Sequence, residues 1–306
     1  LNCNLCSLCK QCVEACEADA IDHDMKDHIL DLNVGSIIFA PGYELFDASL
    51  KSEYGYSRYP NVVSSLEFER ILSASGPYAG HIIRPSDGKE PKKIAWIQCV
   101  GSRDNSCGNN YCSSVCCTYA IKEAVIAKEH APKIQPTIFY MDMRTFGKGF
   151  ERYYNRAENE QGVRFIRCRI SMVTEDFKTR DLYIKYETDE GTLKEEKFDM
   201  VVLSSGLSSR KDMQELSKKI GINLNEFGFC QTTEFNPIDT TRPGVFACGA
   251  FSGPKDIPET VTEASGAAAK ASTIIASQRN TLIEPKKYPP EKDVSGEEPR
   301  IGLFIC

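Results

Sequence analysis

The stretch KKIAWIQCVGSRDNSCGNNYCSSVCCTYAIKEAVIAKEH (92–130) decides how this chain folds. Residues 92–99 are apolar or β-branched for most of their length and carry no breaker, which predicts a buried strand ending at Cys99. Residues 113–130 predict a helix with Val115, Tyr119, Val125 and Ile126 along its apolar side. Residues 137–141 (TIFYM) predict the next strand. Strand, loop, helix and strand in that order open a doubly wound α/β half. A dinucleotide site needs GxGxxG at the strand-to-helix turn, so that backbone can approach a pyrophosphate. The turn here carries Cys99, Cys112, Cys116 and Cys117 instead. Thiols stand where a phosphate cradle would be, which points to a metal site rather than a nucleotide.

Cys112 and Cys116 are four apart and share a helix face if the first turn is already formed there. Helix N-terminal amides and the helix dipole favour thiolates, which are the ligating form. Four cysteines suit zinc or an iron–sulfur cluster. The paired CxxC knuckles common at zinc sites are missing, which favours the cluster; inert thiols or a disulfide are the weakest reading. Cys107 is read as a bystander in this loop.

A second thiol run opens the chain. Cys6, Cys9, Cys12 and Cys16 form C-x2-C-x2-C-x3-C, the spacing of bacterial ferredoxins, with Glu17 where Pro is usual. The following ADAIDHD (18–24) is similar to the ferredoxin tail that leads into a short strand. In two-cluster ferredoxins the fourth Cys of each run serves the other cluster. Cys16 is then expected to serve a cluster whose other ligands precede Leu1, and Cys6, Cys9 and Cys12 need one more thiol, from there or from Cys3. With no initiator Met, the chain is expected to begin inside a ferredoxin module.

Composition narrows the classes. Hydrophobic residues are 41% and the net charge is −6, so a sizeable core can form and no basic surface recommends nucleic acid. No apolar run reaches the roughly 18 residues that a membrane span needs. Fourteen cysteines grouped at ligand spacings argue for a reducing compartment, the cytoplasm, rather than a disulfide framework. His23, His28, His81 and His130 form no ligand spacing, and Trp96, Cys168, Cys230 and Cys248 read as core. Asp142 ends the strand after the Cys-loop helix and is expected to make a salt bridge or meet solvent.

Three further segments carry a resemblance. GSIIFAPG (35–42), FDMVVLSSG (198–206) and TTRPGVFACGAFSGPKDIPETVTEASGAAAKA (240–271) resemble motifs of the two-dinucleotide-domain flavoproteins of thioredoxin reductase type. The usual GD of the last motif is Gly249-Ala250 here, so one carboxylate is missing. More specifically, EYGYSRYPNVVSSLEFERILSASGP (53–77), KKIAWIQCVGSRD (92–104), YCSSVCCTYAIKEA (111–124), YMDMRTFGKG (140–149) and GPKDIPETV (253–261) are similar to the HdrA-like family, the iron–sulfur flavoproteins of heterodisulfide reductase. The resemblance implies a Rossmann-like α/β flavoprotein with a ferredoxin-like 4Fe-4S piece at its start. It implies a partial ferredoxin module at 1–32, part of an FAD-binding domain with its connection at 33–90, and a Rossmann-like domain with the Cys loop at 91–204. A return to the FAD domain at 205–280, then a linker and the start of a further domain at 281–306, complete that expected organisation.

The same resemblance implies cofactors and roles. It places a 4Fe-4S cluster on Cys99, Cys112, Cys116 and Cys117, near FAD. It places FAD against Pro41, Gly42, Gly249, Ala250, Lys255, Ile257, Pro258, Thr260 and Val261, and Lys122 close to the reactive face of the isoalloxazine. Backbone amides of 257–261 are expected to aim at the flavin's pyrimidine edge. The implied function is electron bifurcation or confurcation at FAD, within a complex with disulfide- or quinone-branch subunits, a hydrogenase or formate dehydrogenase type donor, and ferredoxin; a homodimer is one assembly it allows. The first flavin fingerprint, a GxGxxG, is absent from these residues. That absence keeps a second reading alive, an iron–sulfur scaffold that only wires electrons between partners. A plain NAD(P)H-dependent disulfide reductase would need a glycine loop and a CxxC pair in the second domain, where the chain has Cys116-Cys117.

Overall fold

The computed structural model describes residues 10–188 and 190–303, and the chain divides into two compact units, Leu1–Gly35 and Ser36–Cys306. The described regular structure of the first unit is a single helical turn, Gln11–Glu14, entered through Lys10 in the left-handed region. Cys6 and Cys9 lie outside the described residues.

In the second unit the chain runs through β1 (Ile37–Phe39), β2 (Glu44–Leu45), β3 (Val62–Ser64), β4 (Lys93–Val100), β5 (Gln135–Tyr140) and β6 (Arg164–Arg167). It continues through β7 (Val173–Glu175), β8 (Leu182–Glu187), β9 (Leu193–Phe198), β10 (Met200–Ser205), β11 (Leu207–Ser208) and β12 (Val245–Ala247). Its α-helices are α1 (Ser65–Leu72), α2 (Cys116–His130), α3 (Phe150–Asn159), α4 (Met213–Ile220) and α5 (Ile257–Ile274).

Five parallel strands form the main sheet in the order β3-β10-β4-β5-β6. Side chains alternate across it, as the two-residue period of a strand requires. Ile94, Trp96, Ile138, Met200 and Val202 face one side, and Ala95, Ile97, Phe139, Val201 and Leu203 the other. The first side is covered by helices, through Phe68 and Ile71 of α1, Ile121 and Ala124 of α2, and Ala157 of α3. The second is covered by the antiparallel sheet β7-β8-β9, through Leu182, Ile184 and Phe198. In it β7 and β9 both pair antiparallel with β8.

From β4 the chain steps outward through β5 and β6, while β10 and β3 lie on β4's other flank. The reversal between β4 and β10 is the switch point at which an open parallel sheet leaves a crevice beyond its C-terminal ends. The Cys loop follows β4 there, and Leu207 follows β10.

α1 starts where its sequence says it should. Ser64 and Glu67 form a reciprocal capping box, with Glu67 N donating to Ser64 Oγ at 3.3 Å and Ser64 N to Glu67 Oε2 at 2.7 Å. α2 starts three residues later than expected. Ser113 N is tied to Ser102 Oγ at 2.9 Å and Ser114 has φ 64, so neither can continue a helix. Cys112 therefore stays in the loop and shares no helix face with Cys116. The buried side of α2 is built on Ala120, Ile121, Ala124 and Ala127 with Val125, whereas Tyr119 and Ile126 are half-buried.

β1 and β12 pair in parallel, Ile38 opposite Phe246, and form a separate two-stranded sheet. Its core draws Cys248 and Phe246 against Ala267 and Ala271 of α5, small residues that let the helix lie close. Residues 281–303 are exposed and contain no helix or strand apart from turns.

Candidate functional site

β4 carries its irregularity inside the strand. Ile97 pairs with Leu203 and Val100 with Ser205, so Gln98 and Cys99 together face Ser204, and Cys99 has φ 60. A bulge re-aims a side chain. A non-glycine residue held there costs about 1–3 kcal/mol, which the surroundings must offset. The strand thus runs one residue past its expected end, and the thiol is turned by the bulge rather than by chain termination.

The loop is held to β11 by direct bonds. Leu207 N donates to Ser113 Oγ at 2.9 Å, and Tyr111 Oη donates to Leu207 O at 2.9 Å. Tyr111 also meets Phe227 and Phe229 edge-on. Gly101 has φ +69, and a Cβ there would lie 2.0 Å from the Phe46 ring. Gly101→Ala is expected to cost about 1–3 kcal/mol and to lower the thermal midpoint, read by calorimetry. An unchanged midpoint would contradict this packing.

Asp104 anchors the loop's far side. Lys51 Nζ donates to it at 2.9 Å and Arg169 lies at 3.3 Å. Burial alone would raise its pKa, but the Lys51 and Ser106 hydrogen bonds overcome that and hold it at about 2. A depressed carboxylate contributes stability that is present above its ordinary 3.8 and is lost as pH falls through about 2. Asp104→Asn is expected to cost roughly 1.5–3 kcal/mol at neutral pH, with the deficit shrinking in acid. Urea unfolding at several pH values checks this; a deficit that does not change with pH would refute the pairing.

Cys99, Cys112, Cys116 and Cys117 lie within electrostatic reach of one another. Burial, then the neighbouring thiols, pushes Cys99 up to about 11, against the opposing Arg103. Burial likewise raises Cys116 and Cys117. As thiols they lean on carbonyls, Cys116 Sγ on Ser205 O at 3.9 Å and Cys117 Sγ on Asp142 O at 3.8 Å. Cys107 lies against Ser106, outside the group. No three described His, Cys, Asp or Glu side chains are grouped to hold a single metal ion. A zinc tetrahedron with bonds of ~2.3 Å would need sulfurs roughly 3.8 Å apart.

The surroundings favour negative charge. α2 begins with no side-chain cap, leaving its first amides open beside the thiols. Arg103 Nη1 is buried without a partner, while its Nη2 donates to Asp142 Oδ2 at 2.7 Å. Asp142 also pairs with Arg167 and so makes the expected salt bridges. Four thiols within electrostatic reach of one another, open amides and an unpartnered guanidinium nitrogen suit an anionic, thiolate-bound group.

A cleft of about 840 Å³ opens between the end of β1, α2, the end of β12 and the start of α5. Gly42, Lys122, Gly249 and Ala250 line it, as do Lys255, Ile257, Pro258 and Thr260. Pro41 and Val261 do not line it, and Val261 is exposed. Lys122 Nζ pairs with Glu69 at 2.5 Å. Lys255 Nζ donates to Ser252 Oγ at 2.6 Å and pairs with Glu263 at 2.5 Å. Glu263 also accepts from Gly249 N at 2.9 Å, so α5 brings a carboxylate to the loop where the motif's own acid is missing.

The expected fan of amides at 257–261 is largely closed. Glu259 N donates to Asp256 Oδ1 at 2.8 Å, Thr260 N bonds Asp256 O at 3.0 Å, and Pro258 has no N–H. Ile257, the first residue of α5, lines the cleft. Two residues escaped the sequence reading. Tyr119, expected only as apolar packing, lines the cleft and donates to Ser205 O at 2.8 Å, the carbonyl that Cys116 meets. Glu69 was invisible because nothing in α1's sequence says which helix its outer face meets. In the first unit His23 Nε2 sits 3.3 Å from Cys12 Sγ, and Cys16 Sγ accepts from Ala20 N at 3.4 Å.

A parallel sheet with a switch-point crevice, thiols at one strand end and a cleft beside them are what redox proteins of the doubly wound class present. Residues 111–268, just over half of the chain, match the family described as pyridine nucleotide-disulphide oxidoreductase, and the chain belongs to that family of redox enzymes. It is 45% identical over 309 residues to the A-type iron-sulfur subunit of CoB-CoM heterodisulfide reductase from Methanocaldococcus jannaschii, covering 100% of this chain and 45% of that protein. It is 46% identical over 292 residues to the A-type subunit of the H(2)/formate:CoB-CoM heterodisulfide,ferredoxin reductase from Methanococcus maripaludis, covering 94% of this chain and 44% of that protein. The resemblance to the HdrA-like family holds, and the chain spans somewhat under half the length of these relatives. A solved thioredoxin reductase of T. acidophilum is 16% identical with TM-score 0.49, covering 79% of this chain and 65% of that one. No helix among the described residues is long and apolar enough to cross a membrane.

Proposed function

We propose that this chain is the cofactor-bearing part of an electron-transfer subunit of the heterodisulfide reductase type. The observation that carries this reading is the Ser205 carbonyl, which meets Cys116 of the thiol group and Tyr119 of the cleft wall. One backbone oxygen thereby joins two sites suited to different electron carriers. Cys99, Cys112, Cys116 and Cys117 hold a 4Fe-4S cluster in this reading, and the cleft takes the isoalloxazine end of FAD. Cys6, Cys9, Cys12 and Cys16 belong to ferredoxin-type clusters.

A flavin supplies two-electron exchange and iron–sulfur clusters one-electron exchange, a combination that permits bifurcation or confurcation. The protein supplies placement and charge. Lys122, on the cleft wall and paired with Glu69, brings an ammonium suited to negative charge there. Arg103 and the open amides of α2 balance the charge of the thiolate-bound group. The partners in this reading are the disulfide- or quinone-branch subunits, a hydrogenase or formate dehydrogenase type donor, and ferredoxin.

One observation favours the wiring scaffold instead. The α5 N-terminus is already capped by Asp256, with Glu259 beside it, which disfavours an anion at that helix end. Anaerobic iron, sulfide and flavin quantitation on the full-length protein decides between the two. Bound FAD together with cluster iron is expected. Iron without flavin would leave only the scaffold, and zinc in place of iron would remove both.

A further inference from the structure

Glu123 follows Lys122 on α2 but points inward, and it is 0% exposed. Its Oε2 accepts a hydrogen bond from Trp96 Nε1 at 2.8 Å, while its Oε1 is buried with no partner. Few charged or titratable groups face it. From α1 there is Glu69, and from α2 itself Lys122 and Tyr119; β4 offers only the neutral Trp96. Tyr119 sends its hydroxyl to Ser205 O, and Lys122 Nζ is turned to Glu69. No described cation pairs with Glu123 within salt-bridge distance. A carboxylate buried without a cation and with one oxygen unpaired is costly, so the group stays neutral. Burial, reinforced by Glu69, pushes its pKa well up. As an acid it gains an O–H donor, and the acceptor facing it is the Glu69 carboxylate.

We propose that Glu123 and Glu69 form a carboxylic acid–carboxylate pair that holds one proton in reserve for the Lys122 ammonium. The recipient beyond Lys122 rests on the flavin reading of the cleft; the pair itself does not. When an N–H bond of Lys122 breaks and the proton passes to an anionic group in the cleft, Lys122 becomes a neutral amine. The Glu123 O–H bond then breaks, its proton passes to Glu69, and Glu69 hands it to Lys122 Nζ. The ammonium is restored and the pair is left as two carboxylates. Glu69, a third exposed, takes a proton from water and returns it to Glu123. No electrons move through these side chains. Glu69 and Glu123 act as positioning and proton-holding residues, and only Lys122 meets the cleft.

Infrared spectroscopy of the full-length protein tests this, using the carbonyl stretch of a protonated carboxyl group and its shift in D2O. Glu123→Gln keeps an acceptor for Trp96, and Glu69→Gln is the second variant should the first fail to fold. At neutral pH the parent is expected to show a buried-acid band that Glu123→Gln removes and Glu69→Gln displaces. Rapid reduction of the holoprotein, followed with time resolution, is expected to bleach that band transiently in the parent and not in Lys122→Met. No such band, or one that Glu69→Gln and reduction leave untouched, would overturn the proposal. If the protein carries no flavin yet the band responds to both Glu variants, the acid pair stands and the flavin reading of the cleft falls.

Discussion

A full-length protein with Cys116→Ser is expected to hold about four fewer iron atoms and about four fewer sulfides per chain than its parent. Cys116 is buried at the uncapped start of α2 and lies among Cys99, Cys112 and Cys117. Serine keeps the volume but removes the thiolate that soft iron–sulfur chemistry requires. Cys107→Ser is the control, because that thiol lies against Ser106 and outside the group. It is expected to keep the full iron content. Low-temperature EPR of the reduced protein should lose one cluster signal in the first variant only. Equal losses in both would mean that the loop, rather than a ligand set, had been damaged. No loss in Cys116→Ser would sink the assignment of these thiols.

Phe68→Ala is expected to destabilise the protein by about 3–5 kcal/mol, the largest effect foreseen for a single core substitution here. Phe68 is 0% exposed and meets Trp96 edge-on, with ring centroids 5.4 Å apart. Truncation leaves a cavity where α1 crosses the sheet, next to the strand that carries the Cys99 bulge. Urea unfolding should show a lower midpoint with an unchanged slope, since the surface exposed on unfolding is nearly the same. A loss below about 1 kcal/mol would mean that α1 does not pack on this face as described. Because α1 also carries Glu69, the variant should loosen the ion pair that holds Lys122 at the cleft.

The α/β unit was legible because strands buried on both faces leave near-continuous apolar runs, and 92–99 and 200–204 are such runs. The thiol set was legible because ligand spacing is local. What escaped was geometry imposed from elsewhere in the chain. The bulge at Cys99 depends on how β4 meets β10, and no neighbour of Cys99 encodes it. The late start of α2 depends on Ser102 capturing Ser113 N, a contact across the loop. The resemblance implied open amides at 257–261, but Asp256 and Glu259 form a capping box that closes part of that helix start. The motif's missing acid at Ala250 suggested a loss, yet Glu263, two turns along α5, sends a carboxylate to the same loop. Glu123 was passed over because a lone Glu in a helix reads as surface, and its burial and its bond to Trp96 show that it faces inward.

Two of the bonds that shape the thiol loop are distant in sequence. Leu207 N to Ser113 Oγ joins residues 94 apart, and Tyr111 Oη to Leu207 O joins residues 96 apart. Closing so long a span comes late in folding, after local helices and neighbouring strands have formed. Until β10 has zipped against β4, the loop lacks the two bonds that tie it to Leu207. The four cysteines are therefore expected to reach their final arrangement only once the sheet is complete. Iron and sulfide offered during refolding should gain nothing over the same reagents offered once the sheet is complete.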